Sequence, residues 1–390
     1  MKKGWETKTL GEIADVQSGG TPLVSNKAFW NGNLPWYSSG ELNDLYTSPP
    51  ERHVSLLGIE SSNAKLFPEG SLLIGMYDTA ALKMSILDRA GAFNQAIAGV
   101  RPNERIDLVF VLHAINAIRE SVLGQRRGVR QKNLSLGKIR EIPIPVPPLA
   151  EQQRIVGLLD EAFEGLATAK ANAEKNLQNA RALFESHLQS VFTQRGPGWV
   201  EKPLGEVAEV QSGGTPSVPE KTYWGGNIPW YSSGELNEIH TTDPERKITE
   251  AGLNNSNAKL FPKGALLIGM YDTAALKMSI LDRDGTFNQA IAGVKPNERV
   301  EVEFILHAIN AVKPRLLLER RGVRQKNLSL GKIKEIKIPI PLPTMQRAVV
   351  MSLRNVVAET QRLARIYERK LAALAELKKS LLHQAFTGEL

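Results

Sequence analysis

The chain is two copies of one segment. Leu72 to Arg89 reads LLIGMYDTAALKMSILDR, and Leu266 to Arg283 reads the same. Pro35–Leu42 (PWYSSGEL) returns at Pro229–Leu236, Phe93–Val100 (FNQAIAGV) at Phe287–Val294, and Arg126–Ile139 (RRGVRQKNLSLGKI) at Arg320–Ile333. Every match keeps one offset, that of Trp5 to Trp199 and Phe192 to Phe386 (199 − 5 = 386 − 192 = 194), without insertion or deletion. A period this long is not a solenoid unit but a duplicated domain. The likeness is uneven. Up to the proline stretch the copies are nearly identical, whereas Glu151–Thr193 and Met345–Thr387 share little beyond apolar spacing. Each copy therefore has two parts under different constraints.

The first part reads as mixed α/β. Leu72–Met76 and Ser85–Leu87 are short apolar runs between Gly, Asp and Arg, the pattern of buried strands. Ser18-Gly19-Gly20-Thr21-Pro22 and Asn31-Gly32-Asn33 read as turns, with Gly supplying positive φ and Asn tolerating it. Leu108–Arg119 has helical apolar spacing. Pro143-Ile144-Pro145-Val146-Pro147-Pro148 suits neither a helix interior nor a central strand, and marks an extended passage into the second part.

The second part reads as one helix of about 40 residues. Its seam runs Ile155, Leu159, Ala162, Leu166, Ala169, Ala173, Leu177, Ala180, Phe184, Leu188 and Val191, a coiled-coil spacing with stutters. The second copy fills the same register from Val349 to Ala385. Small residues in one helix answer bulky ones in the other, as at Ala162/Val356 and Ala173/Tyr367, which predicts that the two helices pack together, antiparallel. The fold expected is thus two α/β (α+β) domains separated by a long antiparallel coiled-coil pair, with pseudo-twofold internal symmetry. The divisions are 1–146 and 195–340 for the domains, and 147–194 and 341–390 for the helices.

Several functions are disfavoured by what the chain lacks. There is no cysteine, which removes disulfides, thiolate metal sites and cysteine nucleophiles. Met1-Lys2-Lys3-Gly4-Trp5-Glu6 has no apolar run behind its lysines, and no stretch approaches 18 apolar residues, so neither a signal peptide nor a membrane span is expected. The expected location is the cytoplasm. No methyltransferase tetrad and no phosphate-binding P-loop is present; Gly137-Lys138 lacks the upstream glycine and is followed by Ile139. Among the histidines, His113 and His307 fall in an apolar helix and read as packed residues, and no cluster has metal spacing. Asp78 with Lys83, or Asp88 with Glu104, is too common an arrangement to define a nuclease centre; Asp78 reads as a turn cap.

What the chain does carry suits nucleic acid. Its net charge is +8. Arg126, Arg127, Arg130 and Lys132 fall within eight residues without an acid, and Arg320, Arg321, Arg324 and Lys326 repeat them. Such cations bind phosphates, and arginine also reads guanine. Gln131 and Gln325 beside them can read adenine. A second group is polar and aromatic: Ser18, Thr21, Ser38, Ser39, Glu41, Tyr77, Asn94 and Gln95, returning as Ser212, Thr215, Ser232, Ser233, Glu235, Tyr271, Asn288 and Gln289. These side chains suit phosphate and base-edge hydrogen bonds, and Glu41 can accept from a cytosine amine. Lys83 and Lys277 read as solvated or phosphate-facing, and Trp30 and Trp36 as packing residues.

Taken together, these segments resemble the specificity (S) subunit of Type I restriction–modification systems. The resemblance covers essentially the whole chain. It rests on Trp5…Leu10-Gly11-Glu12-Ile13-Ala14 with Ser18 to Pro22, repeated at Trp199…Ala208 with Ser212 to Pro216; on Arg130-Gln131-Lys132-Asn133-Leu134 leading to Ile144…Gln152; and on Leu381 to Leu390. The second copy departs at Leu342-Pro343-Thr344-Met345-Gln346. The resemblance implies two target-recognition domains, each reading half of a bipartite site in double-stranded DNA, with the helices as a ruler. It implies no catalytic residue and no cofactor in this chain. S-adenosylmethionine and ATP with Mg are expected in partners: two modification subunits that methylate adenine N6, and restriction or motor subunits. A helix spanning roughly 60 Å exceeds a DNA turn of roughly 34 Å. Near-identical domains related by an antiparallel helix pair should read one word twice, in inverted orientation. The competing readings are a recognition module of a fused nuclease–methyltransferase, a coiled-coil scaffold without DNA, and a stand-alone nuclease.

Overall fold

A computed structural model describes residues 5–124, 133–271, 274–319 and 327–390. The chain divides into two compact units, Met1–Glu174 with Arg369–Leu390, and Lys175–Glu368. Both divisions fall inside long helices, so each unit holds one copy of the α/β part and a stretch of each helix.

In the first unit the chain runs β1 (Glu6–Thr9), α1 (Leu10–Ile13), β2 (Val16–Ser18), β3 (Leu34–Tyr37), β4 (Arg52–Val54), α2 (Leu56–Glu60), β5 (Leu72–Gly75), β6 (Met84–Ile86), β7 (Ala92–Phe93), β8 (Ile97–Val100), α3 (Leu108–Ala117), α4 (Arg119–Gly124), α5 (Leu136–Arg140), β9 (Pro143–Val146) and α6 (Leu149–Thr193). Three small sheets form. One is four-stranded and antiparallel, in the order β2-β8-β5-β6. One is three-stranded, β4-β3-β7, with β3 and β7 parallel. The third pairs β1 with β9. Prolines 143 and 145 are tolerated in β9 because it has a neighbour on one side only. Strand β5 is an unbroken apolar run, buried at all four positions, as a strand covered on both faces requires.

One core joins the four-stranded sheet to the helices. Leu72, Ile74, Ala98 and Val100 from the sheet meet Phe110, Val111 and Ile115 from α3, and Ile155 and Leu159 from α6. Helix α11 (Pro343–Thr387) closes it with Leu382 and Ala385, and the rings of Phe110 and Phe386 lie 5.0 Å apart. Each such leucine or isoleucine, fully buried, stabilises by about 1.5–3 kcal/mol. Asp107 caps α3, accepting from the amides of Val109 and Phe110 at 2.8 and 3.0 Å.

The second unit repeats this layout: β10 (Val200–Pro203), α7 (Leu204–Val207), β11 (Val210–Ser212), β12 (Trp224–Tyr231), β13 (Arg246–Ile248), α8 (Glu250–Asn254), β14 (Leu266–Gly269), β15 (Met278–Ile280), β16 (Thr286–Phe287), β17 (Ile291–Val294), α9 (Val302–Glu319), α10 (Leu330–Lys334) and β18 (Lys337–Ile340). Its sheets have equivalent orders, β11-β17-β14-β15, β13-β12-β16 and β10-β18. Leu188 and Phe192 of α6 and Val350 and Leu353 of α11 enter its core.

Within each unit the long helices run antiparallel. In the first, Arg154 donates to the Leu390 carbonyl at 2.9 Å, and Lys378 sits 4.7 Å from the Phe163 ring. In the second, Arg181 pairs with Glu368 at 3.1 Å and His187 meets Ser352 at 3.1 Å. All eleven seam positions of α6 are buried or half-buried, as its period predicts. Ala162 and Ala173 lie in the first unit, Val356 and Tyr367 in the second.

Both helices are entered by the same lock. Gln152, fully buried, accepts from the Asp107 amide at 2.9 Å and donates to the Pro147 carbonyl at 2.8 Å. Gln346 does the same with Glu301 and Pro341 at 2.8 and 2.9 Å. The altered residues before Gln346 therefore leave the entry unchanged.

Candidate nucleic-acid interface

The polar loops singled out in the sequence converge at one end of the small sheets, and backbone hydrogen bonds tie them together. Gly20 N donates to Phe93 O at 2.9 Å, and Asn94 N to Tyr37 O at 3.0 Å. Met76 N donates to Ala96 O at 2.9 Å, and Leu134 N to Met76 O at 2.8 Å. The loops of Ser18–Thr21, Ser38–Glu41, Met76–Tyr77 and Asn94–Gln95 thus form one surface. The chain returns to that surface at Leu134, directly after the basic segment.

The glycines of the first loop are there for closeness. A Cβ on Gly19 would lie 2.1 Å from the Phe93 carbonyl oxygen, and one on Gly20 would lie 2.4 Å from the backbone at Asn63 and Ala64. Neither has the positive φ expected of them, nor does Asn31; among described non-glycine residues only Leu82 and Leu276 do, at 58° and 56°. Those two leucines precede Lys83 and Lys277 in identical turns, fixing where the lysines emerge.

Individual side chains have distinct situations. The Thr21 hydroxyl donates to Gln95 Oε1 at 2.6 Å, so the two act as a pair on the rim. Asn94 Oδ1 accepts from the Ala96 amide at 3.0 Å. Lys83 Nζ donates to Asn43 Oδ1 at 2.9 Å. Tyr77 is 37% exposed, and Ser18, Ser38 and Ser39 are half-buried. Glu41 also shapes its own loop. Its carboxylate accepts from the Ser38 amide at 2.6 Å and the Glu51 amide at 3.0 Å, which fixes the loop. Each carboxylate oxygen keeps a further lone pair, so a cytosine amine could still donate to it. The basic residues Arg126, Arg127, Arg130, Gln131 and Lys132, with Arg320, Arg321, Arg324, Gln325 and Lys326, lie outside the described residues.

The second copy reproduces this surface bond for bond. Thr215 to Gln289 is 2.6 Å, Asn288 N to Tyr231 O is 3.0 Å, Leu328 N to Met270 O is 2.8 Å and Lys277 to Asn237 is 2.9 Å. Glu235 holds the amides of Ser232 and Glu245 at 2.6 and 2.9 Å. Ser212, Ser233 and Tyr271 keep the exposure of their counterparts.

One pair of residues was missed by sequence reasoning. Arg52 is exposed, with its guanidinium carbon 3.7 Å from the Trp30 ring and 5.3 Å from that of Trp36. Arg246 stands likewise at 3.5 and 5.6 Å from Trp224 and Trp230. The signal was available: both tryptophans and the arginine recur at the common offset. Their contact depends on the register that sets Trp36 opposite Arg52 in β3 and β4, which spacing alone does not reveal.

Catalytic alternatives find little support. Asp88 accepts from the Thr47 hydroxyl at 2.7 Å and from Arg89. Burial would raise its carboxyl, but these donors outweigh it and hold it below the usual range. It is a structural brace under Tyr37. Among the described residues no group of three or more His, Asp or Glu side chains could hold a metal ion. No helix among them is long and apolar enough to cross a membrane.

Comparison with known proteins converges on one family. Residues 2–177 and 197–368 both match the model of the Type I restriction modification DNA specificity domain. The EcoR124I/EcoR124II specificity subunit of Escherichia coli is 30% identical over 228 residues, 54% of either chain. The MjaIX specificity subunit of Methanocaldococcus jannaschii is 21% identical over all of this chain and 94% of its own. A chain solved in a study of complex assembly and conformational transition of the type I R-M system matches with a TM-score of 0.78 at 19% identity, covering 100% of this chain and 99% of the other. The HsdS subunit from Thermoanaerobacter tengcongensis follows at 0.71 and 19%, covering 100% and 98%.

Proposed function

The chain belongs to the family of Type I restriction–modification specificity subunits, the non-catalytic DNA-recognition components of those systems, and on that premise we propose that its two domains read one DNA word twice. Each domain meets half of a bipartite duplex site. The two halves carry the same bases in inverted order, because near-identical reading surfaces are carried on helices that pair antiparallel. Two modification subunits docked on this chain use S-adenosylmethionine to methylate adenine N6 within the site, taking the adenine out of the stack to reach it. Restriction subunits using ATP and Mg join the same assembly.

The observation that carries this reading is the reproduction of the loop surface in both copies. Domains that read different words would differ first in these loops. Here the loops are invariant in sequence and hydrogen bonding, while the helices that carry them have diverged. Charge adds to it: cations bind phosphate and fix position, and the polar loop side chains meet base edges.

Duplex binding by the assembled complex tests the premise. Affinity should fall steeply with salt, as counterion release requires, and one interrupted palindrome should be preferred over unrelated duplex. Absence of salt-dependent binding, alone and with the modification subunits, would favour the scaffold reading instead.

A further inference from the structure

We propose that Arg52 and Arg246 are DNA phosphate-binding residues, each preorganised by a perpendicular pair of tryptophans. The proposal rests on the DNA-reading function above and adds a contact point to it. Trp30 and Trp36 meet edge to face, with centroids 5.0 Å apart and planes at 87°, and Trp224 and Trp230 do so at 5.2 Å and 86°. The arginine lies over the outer ring of each pair. The inner tryptophan is itself fixed, Trp36 donating to Gly20 O at 3.1 Å and Trp230 to Gly214 O at 3.0 Å. The arginine is therefore anchored, through two indoles, to the glycine loop of the interface.

Among the described residues, no hydrogen bond or ion pair engages either guanidinium. By contrast, Arg89 and Arg283 are engaged by carboxylates. A guanidinium stacked on an indole keeps its N–H edge open, and has already lost much of the rotamer freedom that binding would cost. Position points the same way. Glu41 and Glu235, which shape the interface loops, hold the amides of Glu51 and Glu245, the residues just before the two arginines. Around them the copies differ, with His53 against Lys247 and Pro49 against Asp243, yet both tryptophans and the arginine are kept.

The ligand is phosphate because of how the group lies. A side chain that reads a base must project into a groove. This one sits over an indole with its guanidinium carbon 3.7 or 3.5 Å from the ring centre, where a sugar–phosphate chain passing over the domain would meet it. Planar, bidentate recognition of phosphate is what the open edge offers.

The test uses the full chain assembled with its modification subunits. Duplex affinity is measured across salt on the methylated motif and on unrelated DNA. R52Q/R246Q should weaken both by a similar factor, about tenfold or more, and flatten the slope of log K against log salt by about two, near 0.9 per phosphate. R52K/R246K should keep the slope. An unchanged slope and affinity in the glutamine variant would overturn the proposal. So would a loss confined to the motif together with a relaxed methylated sequence, which would make these residues base readers. Labelling of the wild-type complex with phenylglyoxal, read by mass spectrometry, needs no variant: saturating DNA should shield Arg52 and Arg246, and equal labelling with and without DNA would refute the assignment. Failure of the wild type to bind any duplex would sink the DNA-reading function itself.

Discussion

Gly20 shows how little freedom the loop surface has at the level of single residues. Its loop passes so close to Asn63 and Ala64 that a methyl group would enter their backbone. G20A should cost about 1–3 kcal/mol, the usual penalty of forcing volume into a filled space. At Gly40, where the nearest atom to an added Cβ is 3.8 Å away, alanine should change stability by less than about 0.5 kcal/mol. Thermal unfolding of the two variants side by side checks the contrast; equal losses would contradict it. The residue types of this surface were legible in the sequence, but not always their duties. Ser38-Ser39-Gly40-Glu41 has the spacing of a capping box, in which the fourth residue turns back to the first amide, and the structure uses Glu41 in that way. Recognition chemistry and loop architecture draw on the same polar side chains, so residue type alone did not separate them.

At the level of elements, the long helices were the most legible part of the chain. Their period is sustained over 45 residues each, and one face satisfies it throughout α6. Lys378 is the exposed exception in α11, where its ammonium covers the Phe163 ring. Strands such as β7, only two residues long, were not legible, because their pairing joins residues distant in sequence, as Trp36 with Ala92. The docking of helix to domain also escaped the sequence, since it depends on buried polar contacts. Q152A should leave the Asp107 amide and the Pro147 carbonyl without their partner and cost about 1–3 kcal/mol, measurable by denaturant unfolding. The two units answer acid differently. His113 is packed between α3 and α6, and burial pushes its imidazole below the ordinary 6.5, with Lys378 adding to the effect and Asp160 opposing it. The unfolded chain takes the proton first, so this contribution is lost as pH falls below about 6.5. In the second unit burial would raise the Glu303 carboxyl, but His307 and Arg354 outweigh it and bring it down to about 2. That contribution is complete above the usual 4.5 and is lost as pH falls toward 2. H113Q should flatten the stability profile below about 6.5 and E303Q the profile between 4.5 and 2, both followed by unfolding at stepped pH. A profile unchanged by either substitution would contradict the assigned contacts.

At the level of the whole molecule, the duplication is the dominant fact, and its unevenness carries the functional argument. The loop surfaces are the same in both copies down to individual hydrogen bonds. The long helices share little beyond their apolar spacing. Family membership agrees with a recognition role without chemistry of its own. What separates this chain from a generic member of that family is the expectation that both of its domains read one word. Methylome sequencing of the host, with and without this chain, addresses that most directly. N6-methyladenine is expected in a single interrupted palindrome, the same word on both sides of the spacer, disappearing when the chain is removed. Two unrelated half-sites, or a methylation pattern indifferent to the chain, would contradict it.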